Sequence, residues 1–365
     1  MVDRRLHIVL PFAVLGAAED YGLTIAEGMA QRGWEVTLAH SRLVDPEIQP
    51  PVIAAPIDIN SYRAISRWLI AERPSLLHVN QVFLPLLSVS RLVRIHPTIV
   101  TAHTPALPTR TSRRGQVLRL FAGRGVDHWI VLSERNRQVM ANTNISPAAI
   151  SAVYPGLPAE RFDSLPDAAE VRTSLGLGGT STVVGTVGRL AEQKRHDILI
   201  DAVAHASRHV PDLKLVIVGD GELSVETRRR AEQRFPGGVI FTGHREDVIR
   251  LVSAFDVFAM SSDFEGLPFA LMEAMALGRA IVTTDVQGAG EAIRDGREGL
   301  VVPRRDADQL AAAIVALARN KALAEALGRA ARERYLAEFT ADRMIERTEA
   351  VYRKLLAARG RQLGL

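Results

Sequence analysis

Two successive series of short apolar runs, each separated from the next by a helical pattern, constrain this fold more than any other feature of the chain. The first series comprises residues 6–10, 35–40, 76–79, 98–102 and 128–132, with helical patterns near 20–31, 61–72, 85–95 and 133–141. A second series follows at 183–187, 214–218, 239–241, 257–260, 280–283 and 300–301. Continuously apolar runs of this length suit parallel strands, because helices cover both faces of a parallel sheet. Strand, helix, strand repetition implies right-handed crossovers. The expected architecture is α/β, with two Rossmann-like, doubly wound parallel-sheet domains facing across a cleft.

Between the series, residues 154–180 hold Pro155, Gly156, Pro158, Pro166, Gly176, Gly178 and Gly179, and read as a linker with a short lead-in helix. The expected division is 1–155 and 156–344. An Ala/Arg/Glu-rich helical tail runs from Asp306 towards Arg359, and its end, 345–365, is expected to pack back on the first domain. A chain of 365 residues with 47% hydrophobic content supplies two cores.

Composition narrows the function classes. There are no cysteines, which excludes disulfides and thiolate metal sites. No apolar run approaches the ~18 residues of a transmembrane helix. Arg4-Arg5 is followed by only a short, mostly apolar run, Leu6 to Leu10, before Pro11, too short for a signal peptide. The chain therefore reads as cytoplasmic. Net charge is +4 and aromatic content 5%, so nucleic acid is not an expected partner. Arg110, Arg113, Arg114, Arg119 and Arg124 do share a stretch without acidic residues, around Val117, Leu120 and Phe121. That stretch reads either as a basic amphipathic helix meeting an anionic membrane or acceptor, or as a core helix with solvated arginines.

In open α/β sheets, ligands bind beyond the carboxyl ends of the strands, so residues just after strands carry the functional reading. Glu265-Gly-Leu-Pro-Phe-Ala-Leu-Met-Glu273 places two carboxylates across a loop-to-helix junction, with Pro268 suited to the first helical turn. The free N–H groups of that turn and the positive helix end suit phosphate or sugar oxygens, and the carboxylates suit sugar hydroxyls. Gly266 permits close backbone approach, and Leu267 and Phe269 complete the junction. Gly188-Arg189, with Lys194 beyond, offers a planar guanidinium fork and a mobile point charge to a diphosphate; alone it also reads as a solvated turn. Gly219 and Gly243 end two strands, where each reads equally as ligand approach or as an ordinary turn. His103 ends another strand and could bond a substrate hydroxyl or phosphate. Asp306-Ala-Asp308 has metal-motif form, but Asp306 and Gln309 have capping-box spacing, and no metal site is expected.

From Asp256-Val-Phe through Ser261-Ser-Asp-Phe-Glu265 to Glu273 and Gly278, then Glu291, Asp295-Gly296 and Gly299-Leu-Val-Val-Pro303, the ordered motifs resemble retaining glycosyltransferase family 4, which has the GT-B fold. The resemblance implies a metal-independent enzyme that moves a sugar from a nucleoside-diphosphate sugar, UDP-sugar first and GDP-sugar next, to an acceptor hydroxyl. It implies that Arg189 and Lys194 grip the diphosphate, Glu273 the ribose, Glu265 and nearby N–H groups the sugar hydroxyls, and His103 the transferred sugar. Gly16 stands where the family often has paired glycines, and Pro155-Gly156 where Asn-Gly is common. A lipid-linked polysaccharide or glycolipid acceptor and a small-molecule acceptor are both open. A sugar phosphorylase, a nucleotide-sugar epimerase and a non-catalytic binding module are the rival readings.

Overall fold

The structure, a computed structural model, describes residues 4–11, 17–41, 51–103, 125–143, 145–164 and 167–363. It divides into two units, 1–156 with 341–365, and 157–340.

The first unit contains β1 (Arg5–Leu10), β2 (Glu35–Ser41), β3 (Ile53–Ile57), β4 (Leu76–Asn80), β5 (Thr98–Ala102), β6 (His128–Val131) and β7 (Ile150–Ala152). They form one parallel sheet in the order β3-β2-β1-β4-β5-β6-β7. Alternation along β1 shows how both faces are buried. Leu6, Ile8 and Leu10 pack with Ile25 and Met29 of the helix Ala17–Gln31 and with Ile345 and Tyr352 of the helix Ala341–Leu363. Val9 points to the other face, with Ile65 and Leu69 of the helix Tyr62–Glu72. The C-terminal helix is also tied to this unit by polar contacts. Trp34 Nε1 donates to Glu349 at 3.0 Å, and His78 Nδ1 lies 2.5 Å from the Tyr352 hydroxyl.

The second unit contains β8 (Thr182–Val187), β9 (Leu213–Val218), β10 (Val239–Gly243), β11 (Val257–Met260), β12 (Ala280–Thr284) and β13 (Leu300–Val302). Its parallel sheet has the order β10-β9-β8-β11-β12-β13. Counted within the unit this is 3-2-1-4-5-6, the doubly wound order, and the chain reverses its direction of winding between β8 and β11. The loops that leave those two strands are therefore the ones a ligand would meet.

Three sequence expectations need correction. β3 was not among the expected strands: Pro56 interrupts an otherwise apolar run, and the strand survives because it lies at the sheet edge. β7 is three residues long and gives no periodicity. The single helical tail is three helices, Ala307–Arg319, Lys321–Glu338 and Ala341–Leu363. Asn320 ends the first and caps the second, its side chain accepting from Leu323 N at 3.0 Å. No helix among the described residues is long and apolar enough to cross a membrane.

Candidate functional site at the switch point of the second sheet

The loop after β8 runs through Gly188 and Arg189 to a short 3-10 turn, Glu192–Lys194, and the helix His196–Ala206. The loop after β11 runs from Ser261 to Pro268 and the helix Phe269–Ala276. Side chains and backbone lock the two loops together. Ser261 Oγ lies 2.8 Å from the Lys194 carbonyl and 2.9 Å from that of Arg195, donating between them. Asp263 N donates to Gln193 O at 2.8 Å.

Held in this way, Lys194 Nζ meets Glu265 Oε1 at 2.6 Å, with both side chains largely buried. The same carboxylate oxygen accepts from Ser262 Oγ at 2.7 Å. Residues 71 positions apart in sequence thus make one charge pair at the switch point. Lysine is rare in this chain, at four of 45 basic residues. At 194 its slender stem crosses Gly188: a Cβ on that glycine would lie 3.2 Å from Lys194 Cε. A compact ammonium at this position delivers a point charge where a guanidinium fork would need more room.

Pro268, expected in the first helical turn, is the N-cap just before it, with φ −72° and ψ 133°. No side chain caps this terminus. The N–H groups of Phe269 and Ala270 have no carbonyl to reach within the helix, as the geometry of a helix start requires. Glu273 is the fifth helical residue, one turn in. No hydrogen bond or ion pair to its carboxylate is found among the described residues. Burial pushes its carboxyl above the ordinary value, opposed by the charge of Arg161.

Gly266 and Gly288 show two different uses of glycine. A Cβ on Gly266 would meet nothing within 4 Å. A Cβ on Gly288, at the start of the helix Gln287–Ala292, would lie 1.0 Å from Gly266 O. Gly288 N also donates to Glu265 O at 3.3 Å. The Glu265–Leu267 backbone therefore rests directly on the backbone of the next crossover.

Gly219 has φ +135°, and a Cβ there would lie 2.1 Å from Gly188 O, so the crossing of two strand-end loops by itself demands glycine. Gly219 N bonds Gly243 O at 2.9 Å, which ties in the end of β10, and Gly243 has φ +71°. Arg189 is not brought to the Lys194–Glu265 pair: its Nε lies 3.0 Å from Glu222, and its side chain is 73% exposed. Asp306 accepts from Gln309 N at 2.9 Å, and Gln309 Nε2 donates back to it at 2.8 Å. Asp308 pairs with His205 at 2.8 Å.

His103 belongs to the first unit. At the end of β5 its Nε2 donates to Asn80 Oδ1 at 2.7 Å, and its ring meets that of Tyr21 edge-on at 5.1 Å. Burial lowers its pKa to about 4, so it is a neutral imidazole at pH 7. With Nε2 carrying the proton, Nδ1 is left as an acceptor. Gly16 and the arginines of 113–124 lie outside the described residues.

Sequence reasoning missed Ser261, Ser262, Asp263, Gly288 and Asn80 as site builders. Each acts through a partner 3 to 70 positions away in chain or through a close backbone approach, and neither leaves a recognisable pattern.

Comparison with known proteins agrees with this architecture. Residues 181–320 match the family model "Glycosyl transferases group 1", and residues 18–161 match "Glycosyltransferase Family 4". Among curated relatives, the Escherichia coli UDP-Gal:alpha-D-GlcNAc-diphosphoundecaprenol alpha-1,3-galactosyltransferase is 24% identical, with 73% of this chain and 72% of that protein aligned. The Mycobacterium leprae phosphatidyl-myo-inositol mannosyltransferase is 28% identical, over 91% and 90% respectively. The chain spans 59% of the length of some other curated relatives. Among solved structures, Anabaena HepE in complex with UDP and glucose superposes with a TM-score of 0.79 at 20% identity, covering 96% of this chain and 99% of that one. With two family models matched in succession along a chain of this fold, the protein belongs to the group 1, family 4 glycosyltransferases and has the GT-B fold.

Proposed function

We propose that this chain transfers a sugar from a nucleoside-diphosphate sugar to an acceptor hydroxyl, with retention at the anomeric carbon and without a metal. The observation that carries the reading is the Lys194–Glu265 pair, 2.6 Å apart, beside a helix start that no side chain caps. Breaking the donor's glycosidic C–O bond builds negative charge on the diphosphate. Lys194 and the free N–H groups of the helix Phe269–Ala276 stabilise that charge, and donors of this kind are worth about 10²–10³ in rate each. Arg189 adds a second cation by swinging from Glu222, a motion its exposure permits. Glu265 holds Lys194 on one side and accepts from sugar hydroxyls on the other. Glu273, partly buried and without a hydrogen bond among the described residues, is matched to a ribose diol. Open space over Gly266 leaves room for the sugar or phosphate. Gly188, Gly219, Gly243, Leu267, Pro268 and Phe269 shape the backbone around the nucleotide.

His103, neutral, accepts through Nδ1 from a hydroxyl of the transferred sugar, and the first unit supplies the acceptor side. The leaving phosphate assists deprotonation of the acceptor in a front-face attack. UDP-sugar is favoured, since the E. coli relative is named for UDP-Gal, with GDP-sugar next. Acceptors on lipid carriers are favoured because both relatives are named for lipid-linked substrates, so we assign a role in polysaccharide or glycolipid synthesis. Such an acceptor suits a cytoplasmic protein in peripheral contact with an anionic membrane through the arginines of 113–124; failure to co-sediment with anionic vesicles at low salt would rule that contact out.

The test is a thermal-shift series with UDP, GDP, ADP, CDP and dTDP, without metal, on wild type and Glu273→Ala. One nucleotide raising the wild-type midpoint, with the rise lost in the variant, supports the donor site and names the base. No response to any of the five overturns it.

A further inference from the structure

Lys194 and Glu265 come from separate loops, and Asp263 ties both loops to a third. Its carboxylate receives Arg305 in a fork, at 3.0 Å from Nε and 2.7 Å from Nη2, and Arg195 Nη1 at 3.4 Å. Its carbonyl accepts from Arg304 at 3.1 Å, and its N–H donates to Gln193 O at 2.8 Å. One residue thus joins the loops after β8, β11 and β13. Its side chain is 13% exposed, and the bonds from Arg305 first, with the charges of Arg305 and Arg195, hold its carboxyl below the ordinary value.

The arginine it grips has an unusual backbone. Arg195 lies in the left-handed region, at φ 51° and ψ 45°, directly after Lys194. A residue with a Cβ occupies that region only when its surroundings hold it there. The surroundings here are Asp197, which takes Arg195 Nε and Nη2 at 2.9 and 2.7 Å, Ser261 Oγ, which donates to the Arg195 carbonyl at 2.9 Å, and Asp263, which takes Nη1 at 3.4 Å. A left-handed residue reverses the chain, and the reversal sets the direction in which the Lys194 side chain leaves the backbone towards Glu265. Arg305, at φ 60°, is held left-handed against the same carboxylate.

We propose that Asp263 is a positioning residue for Lys194: by clamping Arg195 in its left-handed conformation, it aims the ammonium at Glu265 and the donor diphosphate. This rests on the function proposed above for Lys194, but the aim of the side chain can be read without any ligand. The chain has four lysines, so limited acetylation with acetic anhydride, read by mass spectrometry, reports each one separately. Lys321, 90% exposed, is the reference, and Lys214, 32% exposed, is the control for general loosening.

In Asp263→Asn, acetylation of Lys194 relative to Lys321 is expected to rise several-fold while Lys214 is unchanged, and affinity for UDP is expected to fall about tenfold, the loss of one charge-assisted bond. Arg195→Ala is expected to expose Lys194 likewise. Arg195→Gly is expected to leave it protected, because glycine adopts the left-handed conformation freely; adding Arg195→Gly to Asp263→Asn is expected to restore protection. Unchanged Lys194 reactivity in Asp263→Asn, a parallel rise at Lys214, or equal exposure in Arg195→Ala and Arg195→Gly would each overturn the clamp. Wild type that binds none of the five nucleoside diphosphates would overturn the donor-site reading instead, with the acetylation pattern still deciding whether Asp263 aims Lys194.

Discussion

Gly288→Ala tests the packing beneath the proposed site with a single methyl group. The added Cβ would lie 1.0 Å from Gly266 O, 2.0 Å from Gly266 C and 2.7 Å from Leu267 N. Ordinary non-bonded contact needs more than 3 Å, so one partner must retreat by roughly 2 Å. The helix Gln287–Ala292 is anchored by buried Gly288, Ala289 and Ala292. The Glu265–Leu267 loop is at the surface and yields more readily. Overpacking of this kind costs about 1–3 kcal/mol, which in a unit of this size lowers the thermal midpoint by roughly 2–4 °C per kcal/mol. Function is expected to suffer more than stability. Glu265 and the start of the helix Phe269–Ala276 move with the loop, and misplacement of catalytic groups by ~1 Å costs about 10² in rate. Gly290→Ala, in the same short helix, is the control: its Cβ would lie 3.7 Å from Asp285 Oδ1, an ordinary contact. The assay is the thermal midpoint, UDP affinity by calorimetry, and UDP release from a UDP-sugar for both variants. If Gly288→Ala matches Gly290→Ala in all three, the close approach of the two backbones is wrong, and with it the support assigned to the Glu265 loop.

Gly266→Ala is expected to leave the stability within about 0.5 kcal/mol of wild type, since its Cβ meets nothing, yet to weaken UDP binding; undiminished affinity would show that the space is not reserved for ligand. Glu273→Gln is expected to weaken nucleotide binding and to stabilise the free protein. The folded-state value of Glu273 lies above 4.5, so wild type loses stability as pH rises from 4.5 through that value, and the midpoint difference between variant and wild type grows over the same window; a constant difference would refute the burial argument. His103, His128 and His196 titrate at about 4 in the folded protein and His78 at about 3, all depressed chiefly by burial. The unfolded chain binds these protons first as pH falls below 6.5, so the wild-type midpoint is expected to drop between pH 6.5 and 4.5, against a smaller opposing contribution from the raised carboxyls of Glu27 and Glu273. A flat calorimetric midpoint across that window would count against neutral buried imidazoles.

The architecture was legible in the sequence because parallel strands buried on both faces announce themselves. Eleven of the thirteen strands coincide with short, mostly apolar runs, and the two that were not expected are β3, which carries Pro56, and β7, which has three residues. The helical tail misled because Ala, Arg and Glu favour a helix throughout, and only the Asn320 cap and the break before Ala341 divide it. At the site, the Glu265–Glu273 junction could be read because its parts adjoin in sequence. What could not be read is why glycines sit where they do. Gly219 is set by Gly188 O from the neighbouring loop and Gly288 by Gly266 O, both long-range backbone contacts with no local signature.

The free protein already holds its key charges in pairs, and this bears on how the site would work. Lys194 is neutralised by Glu265, and Arg189 by Glu222, while Glu273 has no partner among the described residues. An unpaired lysine at 194 would attract any phosphate. Paired with a largely buried carboxylate, it favours a ligand whose hydroxyls satisfy Glu265 at the same time as its phosphate meets the ammonium. A diphosphate bearing a sugar does both; inorganic phosphate does only the second. Under the proposed function, the arrangement would select the whole donor over its fragments, because each half of the ligand is needed to compensate the half of the pair it disturbs. Glu265→Gln separates the two roles. It frees Lys194 from its counter-charge and is expected to narrow the gap in affinity between UDP and a UDP-sugar, with UDP binding tightened. Equal losses for both ligands would mean that the carboxylate only shapes the loop.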